Sequence, residues 1–187
     1  MTTSEIKALV SLLDDDDSEV LQHVSQKINS LGDSILPLLE EVSLSHSEKV
    51  KKRLEGLIQG IHVGSIQYRL TQWLEGNERD LLEGMWIIST YFQPLLDKSK
   101  LFREVEQLYY EAWLEFRSDM HPVDQVKVLN SIIYNKLGFK PNTKDFHAPE
   151  NSLLDRVIAN KQGNPISLCV LYMLIAQRLK LPIYGVN

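Results

Sequence analysis

The sequence predicts an all-α protein. Two observations carry that prediction. Apolar residues recur at helical spacing over most of the chain, and glycines and prolines fall between the periodic segments. A third supports them: only the last residues, Leu181–Asn187, read as the start of a buried strand. The 187 residues are 43% hydrophobic and 24% charged, so a real core is expected.

The first elements repeat. Ala8–Gly32 and Leu38–Ile61 align at a shift of about thirty residues, a period of stacked helical pairs. Leu9, Val20, Val24, Ile28 and Leu31 are matched by Leu39, Val50, Leu54, Ile58 and Ile61. Each unit is a short apolar helix, a polar turn and a longer amphipathic helix. The first turn is the acidic run Asp14–Ser18, the second Leu44–Glu48. Consecutive aspartates lack the alternate ligands, central glycine and distal glutamate of an EF-hand. Asp17 or Ser18 is expected instead to cap the next helix, with acids at the favourable end of its dipole.

Helical rhythm continues through Gly60–Gly76, where Gly60 and Gly64 are candidate bend points. Asn77–Pro94 has Asn77 as a cap and Pro94 as a stop. Its apolar residues Leu81, Leu82, Met85, Trp86, Ile87 and Ile88 surround more than one face, so burial is expected. A helix starting at Ser99 carries the stripe Leu101, Val105, Leu108, Tyr109, Trp113 and Leu114, read as core. In the next helix Pro122 opens the first turn, Val126, Leu129, Ile133 and Leu137 line one face, and Gly138 ends it. After the turn-rich loop Lys140–Asn151, Ser152–Gly163 reads as a short helix capped by Ser152.

Asn164 and Pro165 then cap and open the last helix. From Ile166 to Ala176 it is apolar on nearly every side, which predicts a central, covered helix. It holds the chain's only cysteine, Cys169. A thiol near a helix start is either an activated nucleophile or a packing residue. Cys169 lies a full turn beyond the start, among Leu168, Val170, Tyr172 and Met173, and the dipole effect fades within the first turn. Packing is the expected role.

Composition excludes several classes. One cysteine allows no internal disulfide, and the five histidines show no metal-ligand spacing, so no metal and no cofactor is expected. A formal charge of -5 argues against nucleic acid as a partner. The basic cluster Lys49, Lys51, Lys52 and Arg53 reads as a solvated helix face. No apolar run is long enough to span a membrane, and the first ten residues do not read as a signal peptide. A cytoplasmic protein is the default expectation.

Two resemblances add to this reading. Residues 5–61 resemble HEAT-like repeats, in which an Asp-containing turn precedes a Val-led helix, although Leu21 stands where those repeats often carry arginine. From about Asn130 the chain resembles the transglutaminase-like family of the bacterial invasion-gene up-regulator. The marks are Leu129-Asn130 with Leu137-Gly138-Phe139, Asn151-Ser152 with Leu154 and Val157, "GNPISL" at 163–168 with Leu171-Tyr172, and Leu181-Pro182 before Gly185. Lys180 replaces the usual glycine of the last mark. The resemblance implies HEAT-like repeats over 1–62 and, over 63–187, the N-terminal half of a cysteine-protease-like core.

In active relatives the nucleophilic cysteine stands at the start of the central helix. The matching position here is at or beside Pro165, and Ser167 is the nearest replacement, hence the candidate catalytic residue. Asn164 and Pro165 are the candidate binding residues. The family's histidine and acid would follow Asn187, so a truncated core is expected, since a chain ending on a first strand leaves a ladder edge uncovered. The resemblance and the missing nucleophile together point to an inactive interaction or regulatory module with a protein partner. The alternative is an acyl-transfer enzyme completed by residues past Asn187.

Overall fold

The structure, a computed structural model, describes residues 2–76, 80–117 and 119–185. It is helical, with two-residue strand segments, and the chain forms two compact units, Met1–Gln72 and Trp73–Asn187.

In the first unit, α1 (Thr3–Ser11) opens with a capping box: Glu5 N donates to Thr2 Oγ1 at 3.3 Å, and Thr2 N donates to Glu5 Oε2 at 2.6 Å. Asp17 caps α2 (Ser18–Ser30), accepting from Glu19 N at 2.8 Å. Gly32, at φ 71°, supplies the left-handed residue that leads into α3 (Leu36–Ser43). The helix α4 runs from Glu48 to Glu75 without interruption, so neither Gly60 nor Gly64 bends the chain into two elements. Each half of the internal repeat is thus a short helix followed by a longer one. All the matched positions but Leu31 meet in one core, in which Val24, Ile28, Leu39, Val50, Leu54 and Ile61 are buried.

The acidic run is a braced turn. Lys49 Nζ donates to Asp14 O and Asp16 Oδ1, at 2.7 and 2.6 Å. Arg53 Nη1 donates to Leu13 O and Asp15 O, at 2.7 and 2.6 Å. The hydrogen bond and charge of Lys49 hold the Asp16 carboxyl below its ordinary value. Lys49 and Arg53, read from sequence as part of a solvated face, instead tie the second half of the repeat to the first.

In the second unit, α5 (Leu81–Ser89) is capped by Asp80, which accepts from Leu82 N at 2.8 Å. Asn77, the cap expected from sequence, lies outside the described residues. The helix α6 (Lys98–Trp113) is capped by Asp97 and starts one residue before the expected Ser99. His121 caps α7 (Pro122–Asn130), and the helix continues as a π-helical stretch, Ser131–Lys136, before Gly138 at φ 75°. Lys140–Pro141 (β1) and Gln162–Gly163 (β2) pair in parallel around α8 (Leu154–Asn160). The central element is α9 (Pro165–Arg178), which packs on α5, α6 and α8.

Four expectations are corrected. The end of the α6 stripe is not core: Trp113 and Leu114 are exposed, because the helix ends there and the core is filled by Leu101, Val105, Leu108 and Ala112. Ile88 and Val126 likewise face solvent. Ser152 does not cap α8, which begins at Leu154 with no side-chain cap. Finally, Leu181–Gly185 is irregular, not a strand. Its backbone is engaged with the end of α9: Leu181 N donates to Ala176 O at 2.9 Å, Ile183 N to Leu181 O at 2.8 Å, and Ile183 O accepts from Gln177 Nε2 at 3.1 Å.

Candidate functional site

The start of α9 is built by local chemistry. Lys161, in the left-handed conformation at φ 55°, ends α8. Its ammonium sits over the Phe139 ring, 4.4 Å from the centroid. Gly163 then brings the chain into parallel pairing with Pro141. Asn164 turns it into the helix, its Oδ1 accepting from Ser167 N at 2.8 Å and its Nδ2 donating to Ser152 Oγ at 2.8 Å. Pro165 occupies the first turn, where its missing N–H costs nothing.

Ser167, the sequence candidate for catalysis, is 1% exposed. Its hydroxyl donates to Asn151 O at 2.6 Å and lies 3.1 Å from Asn164 O. That oxygen is a structural tie between α9 and the loop before α8. Asn151 is the hub of the tie. Its carbonyl also accepts from Asn164 N at 3.1 Å. Its side chain accepts from Asn142 Nδ2 at 3.0 Å and donates to Asp145 O and Phe146 O, at 2.7 and 3.1 Å. Gly163 is packed beneath: a Cβ there would stand 2.5 Å from Ser167 Oγ and 3.1 Å from both Val157 methyls.

Cys169 is not in the core. It is exposed, and the expectation of a packed thiol is corrected on that point. The helix is not covered all round. Its Leu168, Val170, Leu171, Leu174, Ile175 and Ala176 are buried, whereas Pro165, Ile166 and Cys169 share an open side, with Ile166 75% exposed. Cys169 opens onto a groove of about 620 Å³ whose walls include Tyr134, Ile166, Tyr172, Met173 and Tyr184. Tyr134, carried by the π-helical stretch, stacks on Tyr172 at 6.3 Å between centroids and 23° between planes. Burial pushes both phenols above their ordinary values, and the charge Cys169 takes when ionised adds to the effect on Tyr134. No described residue lining the groove carries a formal charge or an imidazole.

Asn164 and Pro165 therefore set the helix in place, Ser167 is sealed beneath it, and Cys169 alone of the four reaches the groove as a reactive group. Sequence reasoning missed Asn151, because a hub is defined by partners scattered from Asn142 to Ser167. It also missed the π-helical placement of Tyr134. The open side of α9 did leave a signal: the polarisable side chains Cys169, Tyr172 and Met173 gather there, while the covered sides are aliphatic. Among the described residues, no three His, Cys, Asp or Glu side chains meet to hold a metal ion, and no helix is long and apolar enough to cross a membrane.

Residues 99–187 match the model of the transglutaminase-like superfamily. Three relatives place it further. The chain is 33% identical over 98 residues to a UPF0162 protein of Xylella fastidiosa, covering 50% of this chain and 34% of that protein. It is 27% identical over 112 residues to Protein SirB1 of Salmonella typhimurium, covering 60% and 42%. It is 36% identical over 59 residues to F-box only protein 21 of Homo sapiens, covering 32% and 9%. Through this region the chain is similar to SirB1 and the UPF0162 proteins. It spans less than half the length of these relatives. No solved structure matches it.

Proposed function

We propose that this chain is a non-catalytic interaction module of the transglutaminase-like family. One observation carries the reading. Pro165 stands where the family's nucleophile is expected, and the nearest hydroxyl, Ser167, is buried and donates to Asn151 O at 2.6 Å. A hydroxyl buried and engaged in that way is sealed from a substrate carbonyl. The HEAT-like reading of residues 1–62 belongs to the same proposal, since stacked helical pairs offer extended faces to protein partners. A partner protein rather than nucleic acid suits a chain of net charge -5 and a groove whose described lining residues are uncharged. A cytoplasmic site of action goes with this reading.

A second reading, acyl transfer with Cys169 as nucleophile, is favoured by the exposure of that thiol beside the groove. One experiment separates the two. The protein is incubated with a glutaminyl peptide and hydroxylamine, and hydroxamate is measured for the wild type, Ser167→Ala and Cys169→Ala. The interaction reading expects all three at the rate of a heat-unfolded control. Hydroxamate formation that Cys169→Ala abolishes, with helix content unchanged, overturns it in favour of the second reading. Abolition by Ser167→Ala alone would restore Ser167 as the nucleophile. The thiol itself is checked with a chromogenic disulfide reagent: native protein is expected to react in full without denaturant, and labelling only after unfolding would return Cys169 to the core.

A further inference from the structure

We draw no further inference here: the strongest candidate, the uncharged groove on the open side of α9 between Tyr134, Cys169 and Tyr184, belongs to the site already described, and nothing in the structure shows what covers it.

Discussion

At the scale of single residues, two positions on either end of α9 explain family marks that the sequence alone left as letters. Lys180 has φ 62°. Its N–H donates to Gln177 O and that of Leu181 to Ala176 O, both at 2.9 Å, the paired bonds of a Schellman ending. The position calls for a left-handed residue, which is why glycine is usual there and why lysine is strained. Lys180→Gly is expected to raise stability by about 1 kcal/mol, read as a higher urea midpoint at unchanged slope. A lower midpoint would show that the lysine's own contacts outweigh its backbone strain. At the other end, Gly163 is close-packed rather than left-handed. Gly163→Ala forces its new methyl against Ser167 Oγ and the Val157 methyls and is expected to cost about 1–3 kcal/mol. Ser167→Ala alone removes one hydrogen bond to Asn151 O and costs about 1 kcal/mol. The double variant is expected to cost less than the sum, because deleting the hydroxyl relieves the nearest clash. Strict additivity in that cycle would mean that Val157, not Ser167, takes the strain.

At the scale of elements, what was legible in the sequence was local. Asp17 and Asn164 cap their helices through a backbone N–H within three residues, and Pro165 opens its own first turn, so these starts were legible, whereas the expected Ser152 cap was not formed. What was not legible depended on distant partners. The apolar run of α9 predicted cover on all sides, yet Cys169 and Ile166 found none, because helical spacing says which residues share a side but not whether a neighbour arrives there. The last residues have the β-branched, aromatic look of a strand, but Ile183 bonds to Leu181 and to Gln177, so local bonds and the helix end engage its backbone groups. Glycine gave the opposite error. Gly56, Gly60 and Gly64 lie four residues apart inside the unbroken α4, and a Cβ at any of them would meet nothing within 4 Å. Each therefore carries the helix-interior penalty without a steric reason. Gly56→Ala and Gly60→Ala are each expected to stabilise by roughly 0.5–1 kcal/mol, measured by thermal unfolding followed at 222 nm. A destabilised variant would mean that a methyl on this side of α4 displaces something the helix needs to approach closely.

At the scale of the whole molecule, the described residues form two hydrophobic cores with no residue in common. One gathers Ile28, Leu39 and Leu54, and the other Leu101, Leu129, Leu154 and Leu171. The three tryptophans, Trp73, Trp86 and Trp113, all fall in the second unit, so indole fluorescence reports on that unit alone, whereas helix content reports on both. Leu54 and Leu171 are each fully buried, and truncating either to alanine is expected to cost about 2–5 kcal/mol through lost transfer energy and the cavity left behind. Where that cost appears tests the division of the chain. Leu171→Ala is expected to lower the fluorescence midpoint. Leu54→Ala is expected to leave that midpoint at the wild-type value while an earlier fraction of the helix signal is lost. If Leu54→Ala shifts fluorescence and helix signal together by the same amount, the two cores melt as one cooperative unit. Separate transitions would support a first unit that folds on its own and a second unit whose groove forms without it.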